Sequence, residues 1–412
     1  MTNKQAAIEI LQMLRENGFE ALLAGGCVRD MLLARPAKDY DVVTSAQPRD
    51  VIRLFKRTLT IGAHFGVVIV MIENQKVEVA TFRSDIGYTD GRHPAKVKFV
   101  SAVEDAARRD FTINGMFYDP IENKVIDYVS GQEDLANKLV RTIGNPDERF
   151  SEDYLRMLRA VRFATQLNFK IEPQTWDAIK RNAKDIVKIS DERKQMELEG
   201  ILVDPNRSLG AAMLIKTGLA EAIFPGFVGR EAKLGIHVLS QLRKKVDFPL
   251  AMACFLVGFP PEFALEKCVT LRLSRTQNKH IKFLLANRDR LLKACMPLAD
   301  LRKLLAEPYF WDLYEFQKAI QKARPSDKAG AAALMRTRQR IKSLKDLEIK
   351  PKPLLNGHEL IQLGVVPGPR LGQLAEEMYV AQLEGHLQTV EQAEEWVRKW
   401  LEKHQRMNHN NG

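Results

Sequence analysis

AKDYDVVTSAQP, residues 37–48, sets two aspartates, Asp39 and Asp41, on either side of a tyrosine at the head of an apolar, β-branched run. DYDVV has the composition of a buried strand. Side chains at i and i+2 on a strand point the same way, so the two carboxylates are predicted to project together from one end of a sheet. Like charges at that distance repel, and each prefers water or a proton. A divalent cation removes the conflict, because oxygen ligands are what Mg²⁺ takes. Two carboxylates can also bridge a pair of ions about 3.5–4 Å apart, the arrangement that moves phosphoryl groups. Two aspartates simply facing water at a strand end are the plainer alternative.

The surroundings favour the first reading. Upstream, ALLAG (21–25) is a short apolar strand, and VRDMLLA (28–34) has helical spacing. Gly25 and Gly26 lie between them, where backbone N–H groups and a helix N-terminus can meet phosphate oxygens. Downstream, PRDVIRLFK (48–56) opens a helix with proline, and GVVIVMI (66–72) and KVEVATF (76–82) are strands split by a turn. The first 141 residues thus read as an α+β head. From 142 onward strand signals stop and helical periodicity takes over. SEDYLRMLRAVRFATQL (151–167) is predicted as one helix with Ser151 as N-cap. The basic stretch 323–353 reads as a flexible junction. The expected division is a head at 1–141, then helical segments at 142–209, 210–300 and 301–412.

The chain has 412 residues, too many for one ordinary core. Its net charge of +11 and 28% charged residues suit an acidic partner such as nucleic acid, although a generally basic soluble protein has the same balance. Four scattered cysteines, Cys27, Cys254, Cys268 and Cys295, form neither a disulfide framework nor a zinc pattern, and fit a reducing cytoplasm. The N-terminal stretch reads as an amphipathic helix with acidic residues, not a signal peptide. FPLAMACFLVGF (248–259) is shorter than the ~20 residues that span a bilayer, so it is predicted as a core helix and no membrane partner is expected. No His-Asp dipeptide occurs, so His237 is read as a helix residue rather than a metal ligand. Nothing in the sequence speaks to oligomeric state.

LLAGGCVRDMLL…KDYDVV resembles the first motif of the class II nucleotidyltransferases, the CCA-adding tRNA nucleotidyltransferases and bacterial poly(A) polymerases of the polymerase β superfamily. VEVATFR (77–83), ARRDFTINGMFYDP (107–120), VIDYVSGQEDL (125–135), SEDYLRMLRAVRFA (151–164) and ERKQMELEGIL (192–202) match further motifs in order. A weaker match is LNGHELIQLGVVPGPRLGQL (355–374). The resemblance implies a nucleotidyltransferase head with a mixed or antiparallel sheet, followed by all-helical neck, body and tail domains. It also implies addition of C, C and A to tRNA ends from CTP and ATP. An enzyme adding only the final A and a bacterial poly(A) polymerase carry the same motif set. TIGAHFGVVIV (60–70) and the tail motif resemble the CCA branch more than the polymerase branch. A non-catalytic RNA-binding relative would be marked by loss of a metal ligand, and both aspartates are present.

By the resemblance, Asp39 and Asp41 hold Mg²⁺, and Glu78, alternating with apolar neighbours, is a candidate third carboxylate, or equally a solvated strand residue. Arg29 falls in the phosphate-binding motif. Arg109, Asp110 and Asn114, with Arg108 beside them, would meet triphosphate and sugar. Family members usually have alanine where this chain has Gly115. Asp153 and Arg156, three apart on the predicted helix, would act as a protein template. The carboxylate accepts from an exocyclic amine while the guanidinium donates to the neighbouring ring nitrogen, a pattern that cytosine and adenine satisfy and uracil and guanine reverse. An ordinary surface salt bridge is the alternative. Arg159 and Arg162 would reach triphosphate or hold the helix. Arg193 and Glu197 are predicted to buttress it as an i, i+4 pair. RSDIGYTDGRHPAKVKF (83–99) reads as a mobile loop, which in the family acts as a lever between CTP and ATP. Lys244, Lys245, Arg272, Arg275 and Lys279 are candidates for tRNA phosphates, each equally a solvated surface charge.

Overall fold

The structure is a computed structural model describing residues 1–60, 65–88, 94–293, 296–344 and 347–409. Cys295, residues 61–64 of the TIGAHFGVVIV stretch and residues 89–93 of the 83–99 segment lie outside the described residues. The chain divides into two compact units, Met1–Asn278 and Lys279–Gly412.

In the first unit, helix α1 (Asn3–Glu16) starts at a capping box in which the Thr2 side chain accepts from Gln5 N. It is followed by β1 (Ala21–Ala24), α2 (Gly26–Leu32), β2 (Asp41–Thr44), α3 (Pro48–Leu54), β3 (Thr58–Leu59), β4 (Val67–Ile72) and β5 (Gln75–Thr81). Next come β6 (Arg83–Tyr88), β7 (Pro94–Phe99), α4 (Ala102–Ala107), β8 (Phe117–Asp119) and β9 (Lys124–Ile126). The main sheet has seven strands in the order β3-β4-β5-β2-β1-β8-β9. Only the β2–β5 pair is parallel. The predicted α+β head with a mixed sheet is therefore what forms. One face of the sheet packs Leu22, Ala24, Val43 and Phe117 against Phe82 and the α4 alanines Ala102 and Ala106.

Register does the functional work here. Ala24 stands opposite Asp41 in the antiparallel β1–β2 pair. Val42 stands beside Val79 in the parallel β2–β5 pair. One residue back along each parallel strand lie Asp41 and Glu78, on the same face.

Several predicted elements differ. β2 begins at Asp41, so Asp39 lies just before the strand rather than within it. The 83–99 segment is an antiparallel hairpin, β6 with β7, not a loop. Its alternating apolar residues form a ladder despite the glycines and charges. The predicted helix over 151–167 is two helices, α6 (Pro146–Glu152) and α7 (Leu155–Leu167), after α5 (Gly131–Ala136) and β10 (Leu139–Val140). Asn145, not Ser151, caps α6; the Ser151 hydroxyl instead donates to Glu148 O inside it. Strands do not stop at 142, because β11 (Lys170–Ile171) pairs parallel with β10.

Beyond β11, α8 (Pro173–Asn182), α9 (Asp191–Leu202) and α10 (Arg207–Lys216) continue the unit, and α7 packs on both α9 and α10. The predicted core helix forms over Phe248–Phe255 with every residue buried. His237 is an exposed residue on the helix Gly229–Ser240, as expected. Gly115 has no room for a side chain: a Cβ there would stand 2.7 Å from Val129 Cγ2 and 2.9 Å from Ile143 Cδ1.

The second unit is helical throughout its described residues. A helix over Lys328–Ser343 occupies the segment expected to be a flexible junction. The last helices, Gly357–Gln362, Pro369–Leu383 and Val390–His409, close on Leu360, Leu374, Met378, Val397 and Trp400. GVVPGPRLG forms the corner between the first two of these, as expected. No helix among the described residues is long and apolar enough to cross a membrane.

One buried cation knits the helical part of the first unit. Arg207 is 2% exposed and donates to the carbonyls of Leu202, Val203, Arg243 and Lys244 at 2.6–3.1 Å. It thereby caps the C-terminal end of α9 and ties it to the chain after the helix Gly229–Ser240. Arg207→Met keeps the apolar stem but strips donors from these carbonyls. Urea denaturation should show a loss of about 2–4 kcal/mol; an unchanged midpoint would mean that water replaces the guanidinium.

Candidate active site

Asp39, Asp41 and Glu78 line one cavity of about 430 Å³ with Tyr40, Ile69 and Lys76. The sequence-predicted acids therefore meet, although Asp39 reaches the cavity from the turn before β2. Glu78 is exposed between the buried Val77 and Val79, as the alternation predicted. Burial first, and then the charges of Glu78 and Asp39, raise the Asp41 pKa to about 6, against the pull of Arg109. An all-oxygen donor set suits a hard divalent ion, and a cation would relieve the repulsion on Asp41, although the three acids do not each bring an oxygen within 4.8 Å of the others. A larger cavity of about 580 Å³ lies around Thr112, Asp134 and Thr142 and includes none of these acids.

Beside Asp41, the chain turns from β1 into α2 at Gly25, with φ +74°. A Cβ at this position would stand 3.2 Å from Arg109 Nη1, so glycine serves both the backbone conformation and the approach of the guanidinium. Gly26 opens α2. Arg29, on the same helix, donates to Asp30 Oδ1 at 2.8–2.9 Å and to Asn114 Oδ1 at 2.7 Å. Arg109 donates through Nε and Nη2 to Asp105 Oδ2 and leans over the Phe117 ring at 5.0 Å. Arg108 grips the other oxygen of the same fully buried carboxylate.

Asp110 accepts from Arg159 Nε and Nη2 at 2.9 and 2.6 Å and from Asn114 Nδ2 at 3.2 Å. Burial pushes its carboxyl up, but the Arg159 charge and these hydrogen bonds outweigh it and hold the pKa below the usual value. Gly25, Gly26, Arg29, Arg109, Asp110, Asn114 and Arg159 thus form one connected cluster.

Asp153 and Arg156 do not share a helix. Asp153 sits in the break between α6 and α7, with extended backbone, and its Oδ1 accepts from Leu155 N. This local bond competes with the helix and supplies the cap that starts α7. Across from it, Arg193 Nη2 donates to Asp153 Oδ2 at 2.7 Å. Arg156, on α7, donates through Nη1 to Arg149 O and Glu152 Oε2 at 2.8 and 2.5 Å. The expected Arg193–Glu197 pair within α9 is replaced by two reaches from α9 to its neighbours: Arg193 to Asp153, and Glu197 to Arg162 Nε at 2.6 Å. Both still buttress the segment they were expected to support. Among the tRNA-contact candidates, Arg272 pairs with Glu192 at the surface, while Lys244, Lys245, Arg275 and Lys279 are exposed.

Sequence reasoning missed Glu152, Asp105 and Arg149. Glu152 stands one turn before Arg156, a spacing that could have flagged it. Asp105 lies one turn before Arg109 and carried the same signal. Arg149 donates to Arg109 O at 2.9 Å from another element, which no local pattern reveals.

Residues 21–141 match the family model for the poly(A) polymerase head domain, and residues 168–229 match the one described as "Probable RNA and SrmB- binding site of polymerase A". A CCA-adding enzyme of Lactobacillus johnsonii is 33% identical over 408 residues, covering 94% of this chain and 95% of the relative. One from Geobacillus sp. (strain WCH70) is 46% identical over 216 residues, 52% of this chain and 53% of that one. The crystal structure of the Bacillus stearothermophilus CCA-adding enzyme in complex with CTP superposes with a TM-score of 0.78 at 29% identity, covering 100% of both chains. Fold, motif order and near full-length identity agree: the chain belongs to the CCA-adding enzymes, tRNA nucleotidyltransferases built on a poly(A) polymerase-type head.

Proposed function

We propose that this protein adds C, C and A to tRNA 3′ ends from CTP and ATP without a nucleic-acid template. The observation that carries the reading is the convergence of Asp39, Asp41 and Glu78 on one cavity beside the Gly25 turn and the Arg29–Arg109–Asp110–Arg159 cluster. Relatives named CCA-adding enzymes, one of them solved with CTP, support the same substrates.

Divalent-cation use is general to this family, and Mg²⁺ is the ion we propose for Asp39 and Asp41. When bound, such ions lower the pKa of an attacking hydroxyl and neutralise departing pyrophosphate. Glu78, exposed on β5, accepts the proton of the tRNA 3′-hydroxyl. The turn at Gly25–Gly26, with Arg29 and Arg109, meets the triphosphate. Asp110 and Asn114 face the ribose, and Arg159 and Arg162 hold the charge balance beside them.

Base choice falls to Asp153 and Arg156. Leu155 N and both Nη groups of Arg193 already donate to Asp153, but a carboxylate accepts about four hydrogen bonds, so one exocyclic amine can join them. Arg156 commits Nη1 to Glu152 and Arg149, which fixes the plane of its guanidinium for a base edge. The helical residues after 141 grip the tRNA through phosphate contacts. A tRNA substrate and four cysteines with no paired spacing support a cytoplasmic location.

Incubation with tRNA ending at the discriminator base, then with tRNA ending in C and in CC, with each nucleotide supplied singly, tests this reading. Stepwise addition of C, C and then A, and no further, is expected. Addition of A alone, only to tRNA ending in CC, would replace it with an A-adding enzyme, and long homopolymers on unrelated RNA with a poly(A) polymerase. In the same assay, Arg156→Ala should relax discrimination against UTP and GTP by about 5- to 100-fold, the worth of a buried unpaired donor or acceptor. Equal loss with all four nucleotides would remove Arg156 from base reading.

A further inference from the structure

Phe163 sits on α7, 7% exposed, with three guanidiniums around its ring. The guanidinium carbons of Arg29, Arg159 and Arg162 lie 5.2, 5.3 and 4.3 Å from the ring centroid. All three fall inside the roughly 6 Å over which a cation is attracted to an aromatic face. The edge of Phe111 meets the ring at 5.7 Å and 78°, which fixes its plane. Three like charges do not gather around an apolar side chain without compensation. Here each one is paired with a carboxylate: Arg29 with Asp30, Arg159 with Asp110 and Arg162 with Glu197.

We infer that Phe163 is a positioning residue for the nucleotide triphosphate, acting through these three arginines. The inference rests on the nucleotide-site reading above. A ring attracts a nearby guanidinium without taking up an N–H donor, so those donors stay available to oxygen acceptors. Carboxylates and ring together therefore fix each cation at two points while sparing donors for phosphate. Arg29 comes from α2, whereas Arg159 and Arg162 come from α7, so one side chain sets the spacing between cations of two separate elements. A leucine would fill similar space but offer the guanidinium faces no negative potential. The arginines would then be free to separate, and the triphosphate would have to order them on binding.

Fluorination tests this at nearly constant volume, because it drains the ring's negative face stepwise. Phe163 is replaced by mono-, di- and trifluorophenylalanine through nonsense suppression in the full-length protein, with Phe163→Leu as a further variant. KM for ATP and for CTP, and the Kd of each nucleotide, are measured with tRNA ending in CC and at the discriminator base. We expect KM and Kd to climb with each fluorine, by about three- to tenfold across the series, with kcat moving less and Tm staying near that of the parent. Phe163→Leu is expected to match or exceed the trifluoro protein. Flat KM and Kd across the fluorinated series, with the parent binding normally, would overturn the inference alone, whether or not the leucine variant folds. Failure of the parent itself to bind either nucleotide would overturn the site reading and this inference with it.

Discussion

Mutual repulsion among three carboxylates at the end of a sheet is the constraint around which the head is arranged. The parallel pairing of β2 with β5 forces Asp41 beside Glu78, and the turn before β2 brings Asp39 to the same cavity. No fold gathers such charges for stability. Burial and two like charges lift the Asp41 pKa to about 6, so at neutral pH the site is held ionised against its own preference. A shift of about two units is worth about 3 kcal/mol at most, given 1.36 kcal/mol per unit and partial exposure to solvent.

Arginines answer the acids, and they need anchoring in turn. Arg109 is clamped by Asp105, Arg159 by Asp110, Arg162 by Glu197 and Arg156 by Glu152. Half-buried ion pairs of this kind add little net stability, because desolvation offsets much of the attraction. Their contribution is position. Each guanidinium is held in place by its carboxylate, which leaves its remaining N–H donors available to oxygen acceptors. Arg193, reaching from α9 to Asp153, extends the same scheme to the break between α6 and α7.

Much of this was legible in the residues because the head follows simple periodicities. β1, β4 and β5 are apolar or alternating runs bounded by turns, and α1 and α3 announce themselves by capping and a leading proline. The Asp-x-Asp pair and Glu78 were found as chemistry misplaced on strands. What escaped had a physical reason. The break at Asp153 hides because SEDYLR keeps helical spacing, and only the bond from Leu155 N to the Asp153 side chain reveals the interruption. The hairpin at 83–99 was masked by its glycines and charges, which outweigh the alternation in composition. Phe163 looked like one more apolar position on α7. Its three cationic neighbours come partly from a helix more than a hundred residues earlier, and no spacing rule spans that separation.

Asp41 carries its charge at a cost in stability that a bound cation would remove. Its folded pKa of about 6 lies above the ordinary 3.8, so the folded state binds the proton more tightly than the unfolded chain does. Its charge therefore lowers stability progressively as pH rises from about 4 through 6, and fully above that. Thermal unfolding of the protein and of Asp41→Asn at pH 8, first in EDTA and then in MgCl₂, tests this directly. The variant is expected to melt about 2–6 °C higher than the parent in EDTA, Mg²⁺ to raise the parent's Tm but not the variant's, and tRNA end addition by the variant to fall by roughly a thousandfold or more. A variant no more stable than the parent in EDTA, equally stabilised by Mg²⁺ and still adding nucleotides at the parental rate would contradict it.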